Sequence, residues 1–319
     1  MVWTARIFLG LPAVAGLAII ACSSSSPRSG FESPPPADST SSSSSSGASG
    51  NSSGFVQGDS GPTNTDGCSD AAKLVYVLSL EGDLYSFAPA DKKFVKIGAL
   101  NCTSGGRTFG TVSMAVDREA VAWVNMRDEL SLTGESQMFK VDTKSAAGTG
   151  TNIQGSWGGM GFSTNAGTTD KETLFVIGQG SALNGALKRV DFAKEEIVPV
   201  SDLKEQVDLE LTGTGDGRLY GFLQSNPLAI AAVDKSNATF SARTTLTGVE
   251  DPQPPMFAFS FWGGDFYVYT ATSTSSAKTT NVTRQRPSDK SIDTSYMTNI
   301  GFHIVGAGVS TCAPTSAPK

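Results

Sequence analysis

The sequence predicts an all-β fold: a β-propeller of about five four-stranded blades, its ring closed by the C-terminal strand. Three observations lead there. Helical patterning is nearly absent, since apolar residues at i, i+3, i+4 and i+7 never run on without Gly, Pro or β-branched interruptions. Short runs rich in β-branched and aromatic residues take their place, bounded by Gly, Asp and Asn. Five of these runs look alike: Leu74–Ser79, Val121–Asn125, Thr173–Gly178, Arg218–Leu223 and Asp265–Thr270. They recur roughly every 50 residues, the period of one propeller blade.

Each element has its own reason. The five runs read as the second strand of each blade. Before four of them comes another apolar run, Val112–Asp117, Gly159–Thr164, Val207–Thr212 or Met256–Phe261, which reads as the innermost strand. After three of them comes a strand ending in Val-Asp: Phe139–Asp142, Lys188–Asp191 and Ala231–Asp234. An Asp there starts a turn, because its carboxylate accepts from backbone N–H groups two residues on. The first run has no predecessor, and the chain ends with a spare strand, His303–Val309. Placing that strand innermost in the first blade closes the ring and removes free sheet edges. An open or split β structure is the alternative. The stretch Thr274–Asn299 is too indistinct to divide into strands.

Residues 1–21 read as a signal segment. Arg6 supplies the positive charge, and Ile7–Ile20 is an apolar run of 14 residues, short of the ~20 needed to span a bilayer. The segment ends Ile19-Ile20-Ala21-Cys22, which resembles the lipobox of bacterial lipoproteins, where the Cys thiol takes a diacylglyceryl group. The alternative is an ordinary secretory signal cut after Ala21. Residues 22–67 form a Ser/Gly/Pro-rich tether with almost no aliphatic or aromatic side chains, a composition that cannot offset its ordering entropy. A flexible chain of that length spans ~35–40 Å. The resemblance to Gram-negative lipoproteins implies, with Ser23 in place of Asp, sorting to the outer membrane, facing either the periplasm or the outside. The lipid is the expected membrane contact, and residues 68–319 form the propeller.

The net charge of −6 and the lack of a basic block argue against a nucleic-acid partner. Four cysteines are present. With Cys22 assigned to lipid, three remain in an oxidising compartment. The closure places Cys68 and Cys312 at one corner of the first blade and predicts a disulfide between them. Cys102–Cys312 is a competing pairing. With a single histidine, His303, and no G-x-S-x-G elbow, no catalytic residue, metal site or cofactor is expected. Asp208, Glu210 and Asp216 lack the spacing of an EF-hand loop. Gly213–Gly217 lacks the Lys and following helix of a phosphate loop.

The runs SMAVDREAVAWV (113–124), ELTGTGDGRLYGF (210–222), FAFSFWGGDFYVYT (257–270) and IVGAGVSTCAP (304–314) resemble an uncharacterised family of bacterial outer-membrane lipoproteins that share the Ser/Pro tether. The resemblance covers roughly residues 68–314. It implies a propeller body and an envelope address, and it implies no activity. Such proteins carry a further Cys in the second repeat, a partner for Cys102. Here the region 141–150 reads VDTKSAAGTG, and the resemblance implies that Cys102 stands unpaired.

One constellation remains. If the repeats align as drawn, the corners after the innermost strands fall on one face around a central channel. They carry Asp117 and Arg118, Asp216 and Arg218, and Trp262 and Asp265, with Glu210 and His303 on innermost strands nearby. Acids, cations and an indole in a ring suit a small polar ligand such as a saccharide. The same residues have a structural role open to them, the Asp side chains bonding their own turns and Trp262 packing between blades. The expectation is a non-catalytic binding or scaffold module for an envelope protein or saccharide. The alternatives are a propeller-type hydrolase or lyase acting on a polysaccharide or lactone, and a structural subunit of a surface assembly.

Overall fold

The computed structural model describes residues 67–102, 106–132, 134–180, 185–251, 253–275 and 277–317. The signal segment, Cys22 and the tether lie outside the described residues, Gly67 excepted.

Five four-stranded antiparallel sheets make up the fold, a five-bladed β-propeller. Blade one holds β1 (Val75–Ser79), β2 (Asp83–Ala88) and β3 (Lys93–Ala99). Blade two holds β4 (Phe109–Val116), β5 (Val121–Asp128), β6 (Ser136–Asp142) and β7 (Gly148–Gly155). Blade three holds β8 (Trp157–Thr164), β9 (Glu172–Gln179), β10 (Gly185–Asp191) and β11 (Glu196–Asp202). Blade four holds β12 (Leu209–Gly213), β13 (Leu219–Leu223), β14 (Ala229–Val233) and β15 (Phe240–Thr245). Blade five holds β16 (Met256–Trp262), β17 (Asp265–Ala271), β18 (Asn281–Arg286) and β19 (Ser291–Met297). The last strand, β20 (Ile304–Val309), pairs with β1 in the register Val75↔Val309 and Val77↔Ala307, so it is the innermost strand of blade one. The innermost strands pack on one another in the order β20, β4, β8, β12, β16 and back to β20. The ring is closed by the C-terminal strand.

Burial falls from the axis outward. β20, β12 and β17 are buried along their whole length, whereas β3 and β15 are mostly exposed or half-buried. Apolar layers fill the seams between blades. Phe87, Tyr267 and Tyr269 meet between blades one and five, and Phe222, Phe259 and Phe266 between blades four and five. Each such ring contributes on the order of 1.5–3 kcal/mol when fully buried. At the axis the strands touch. A Cβ on Gly159 would lie 2.3 Å from the Leu209 carbonyl oxygen, so β8 and β12 leave no room for a ligand between them.

Turn chemistry follows the sequence. Asp142, Asp191 and Asp234 each accept backbone N–H bonds from two residues on, at 2.8, 3.1 and 2.7 Å. The turn into the outermost strand holds a residue at positive φ in every blade: Lys92, Ala146, Glu195, Ala238 and Lys290. Cys68 and Cys312 are bonded, with Cα atoms 5.9 Å apart, across the corner where β20 hands over to β1. Cys102 carries a free thiol, which burial pushes up to about 11.

Candidate functional site

The innermost strands all end on one face of the ring, here called the upper face. The corner between β16 and β17 is a two-residue hairpin. Trp262 pairs with Asp265, and Gly263 and Gly264 both sit at positive φ (64° and 87°), which two-residue hairpin turns require and glycine supplies without strain. The tight turn sets Trp262 and Asp265 side by side at the upper end of blade five. Asp265 and Tyr267 share a face of β17 because side chains alternate along a strand. Across the ladder Tyr267 pairs with Arg284 of β18.

These residues line a cleft of about 250 Å³ at the seam between blades five and one. Its wall consists of Trp262, Gly263, Asp265, Tyr267, Arg284 and Tyr296 from blade five, Ala90 and Lys92 from the β2–β3 turn, and Ala317 from the C-terminal tail. Asp265 accepts from Arg284 Nε at 2.7 Å and from its Nη2 as well. Burial pulls the Arg284 guanidinium down, and the bonds to Asp265 outweigh it, so the group is held above its ordinary value. Burial raises both Tyr267 and Tyr296. The Trp262 indole N–H donates to the Lys73 carbonyl at 2.7 Å, which fixes the ring with its polar edge satisfied. The tail is tied to the same corner, with Gly263 N–H donating to the Pro314 carbonyl at 2.7 Å.

The other predicted site residues do not join this cleft. Asp117 is buried in its own turn. Its carboxylate accepts from Glu119 N–H, from Val121 N–H at 2.8 Å and from the Trp123 indole at 2.8 Å. Burial raises its pKa against those bonds. Arg118 donates to Thr311 Oγ1 at 3.0 Å and lies 3.7 Å from Cys68 Sγ. Asp216 and Arg218 are exposed and paired with each other at 2.6 Å, and Arg218 also donates to Tyr220 Oη at 2.7 Å. The β12–β13 corner meets the segment that follows β20, because a Cβ on Gly215 would stand 2.3 Å from the Thr311 carbonyl.

Two placements differ from the sequence expectation. His303 precedes β20, so it lies at the lower end of the ring, where Nδ1 meets Glu81 Oε1 at 3.0 Å. Glu210 lies one residue into β12 and reaches across the axis instead of up to the rim. Its carboxylate accepts from Ser113 Oγ of β4 at 2.9 Å, and from the Met160 N–H of β8. It is 5% exposed, and burial pushes it up to about 8.

Sequence reasoning missed Lys92, Arg284, Tyr267 and Tyr296 as cleft residues. It also missed Glu172, which accepts from Arg118 N–H at 2.8 Å and from Thr311 Oγ1 at 2.7 Å on the upper face. Burial raises Glu172 to about 7 against these bonds, with Asp117 and Glu119 adding to the rise. Tyr267 had a usable signal, two positions after Asp265 on the same strand face. The others come from separate strands and blades and share no spacing.

Fold and cleft together define a five-bladed propeller with a small pocket of aromatic and charged side chains on a blade seam. No family model matches the chain, and no curated protein sequence matches it. Several solved structures are similar to it. TolB from Acinetobacter baumannii is 14% identical over 69% of this chain and 51% of its own, with a TM-score of 0.39. The Bacteroides ovatus protein described as xyloglucan PUL GH43B is 14% identical over 59% of this chain and 41% of its own, at 0.44. A calcium-binding protein, regucalcin, from Agrobacterium tumefaciens is 14% identical over 63% of this chain and 65% of its own, at 0.40. This chain spans about half the length of that TolB. At these scores no ligand or activity passes from those proteins to this one.

Proposed function

We propose that this chain is an exported lipoprotein, acylated at Cys22 and held at the outer membrane by its lipid. Its propeller is a non-catalytic module that takes a small polar ligand in the seam cleft of blades five and one. The observation that supports binding is the cleft itself. It combines a half-buried indole, two buried tyrosines and three charged groups in a concave wall, and small-ligand sites set a few polar groups in an aromatic surround in this way. The address is supported by the sequence: Ile19-Ile20-Ala21-Cys22 followed by the Ser-rich tether.

Two measurements test the two halves. Cys22→Ala in the full chain should move the protein from the membrane to the soluble periplasmic fraction. Retention at the membrane would refute the anchor. Trp262 fluorescence of the full chain in detergent, titrated with a panel of small sugars and organic acids, should respond to at least one of them. The response should vanish in Trp262→Phe. A panel without any Trp262-dependent response would refute the cleft as a ligand site.

A further inference from the structure

We infer that the seam cleft takes an acidic sugar, a single pyranose ring bearing a carboxylate, with the ring against Trp262 and the carboxylate between Lys92 and Arg284. This rests on the reading of the cleft as a ligand site and names the class of ligand.

The charge pattern comes first. Two cations converge on one aromatic ring. Lys92 Nζ stands 4.3 Å from the Tyr296 centroid, and Arg284 Cζ stands 5.5 Å from it. Asp265 is the only carboxylate among the described lining residues, and both its bonds to Arg284 go through one oxygen, Oδ2. Asp265 therefore offsets Arg284 and leaves Lys92 over. Among the described residues Lys92 has no ion pair, and its contact is the Tyr296 ring. The described lining residues carry one net positive charge, that of the exposed Lys92. Hydrogen-bonding capacity agrees. Asp265 uses two of the five N–H donors of a guanidinium, and the three ammonium donors of Lys92 meet no acceptor among the described residues.

The walls select for more than charge. At about 250 Å³ the space falls below the ~300–1,000 Å³ of drug-sized sites, so it suits one ring and not a chain of them. The Trp262 N–H is already bonded to Lys73, so what the indole offers a ligand is apolar surface. An apolar face and a carboxylate on one small ring are what an acidic sugar presents. A neutral sugar offers Lys92 hydroxyl acceptors but no charge, and a bare anion gains nothing from Trp262.

The test is calorimetry on the full chain in detergent micelles at low ionic strength, with D-glucuronate, D-glucose and inorganic phosphate as probes. Glucuronate should bind about tenfold or more tighter than either of the others. Lys92→Asn should abolish the preference over glucose, and asparagine suits the left-handed backbone there (φ 51°). Added salt should weaken glucuronate binding to the unaltered protein and leave glucose binding unchanged, a readout that needs no variant. Equal affinities for glucuronate and glucose would overturn the acidic class and leave the cleft a sugar site. Phosphate binding as tightly as glucuronate would overturn the sugar. Failure of all three to bind would overturn the inference, whereas the broader reading falls only with the Trp262 fluorescence panel.

Discussion

Glu210 sets a carboxylate on the propeller axis with a Ser113 hydroxyl, the Met160 N–H and, among the described residues, no cation for company. Burial raises its pKa from 4.5 to about 8. An acid whose folded pKa lies above its unfolded one binds more protons in the native state between the two values. Its contribution is therefore complete below about pH 4.5 and is lost as pH rises toward 8. At roughly 1.4 kcal/mol per unit, the loss across that window is at most on the order of 5 kcal/mol. Glu172, raised to about 7, and Asp117, also raised by burial, act in the same direction, but Glu172 is only partly buried and solvent screening shrinks its share. Glu81, Asp142 and Asp216 are lowered and remain ionised above pH 5, so they do not contribute to the slope. Urea unfolding of the full chain without reductant, at about pH 5 and about pH 8.5, measures the change. The unaltered protein should lose several kcal/mol on going to the higher pH, and Glu210→Gln should keep most of it. Comparing slopes cancels any cost of the unpaired amide. If Glu210→Gln loses as much stability over the interval as the unaltered protein, Glu210 does not titrate as a buried carboxylate and the reasoning fails.

Three further outcomes follow from packing and covalent structure. Cys312→Ser should lower the urea midpoint, because the bond closes a separation of 244 residues, worth up to about 5 kcal/mol in the chain-entropy model; equal midpoints would contradict this. Gly148→Ala should cost about 1–3 kcal/mol by overpacking, since its Cβ would stand 2.3 Å from Cys102 Sγ. Adding Cys102→Ala should return most of the loss, and additive losses in that double-mutant cycle would place the strain elsewhere. Lys290→Gly should raise stability by about 1 kcal/mol, because Lys290 holds a left-handed backbone at φ 61° that costs an L-residue about 1–2 kcal/mol. A lower thermal midpoint would show the side chain to matter more than the backbone.

What was legible in the sequence follows the gradient of burial. β17 reads as DFYVYTA and is buried throughout, so its β-branched and aromatic run stands out. The same holds for β5 and for β20, whose position as a spare terminal strand gave the ring closure. β18 and β19 read NVTRQR and SIDTSYM, and β19 is half-buried along most of its length. With no clean alternation of apolar and polar residues, they stayed hidden in the indistinct stretch. Trp262 and Asp265 were visible as site residues because the aligned repeats set the corner after each innermost strand on one face. Arg284 and Lys92 were not, because they reach the same cleft from a polar strand and from another blade. Glu210 and His303 were read on innermost strands, but their height along the axis depends on where each strand begins. Glu210 sits one residue into β12 and His303 just before β20, which puts both away from the upper rim.

The most direct test of the account is a crystal structure of the protein soaked with D-glucuronate. The account predicts density for one sugar ring against Trp262, with its carboxylate between Lys92 and Arg284. Density at the axis mouth beside Arg118 and Thr311, or none at the seam of blades five and one at saturating ligand, would contradict it.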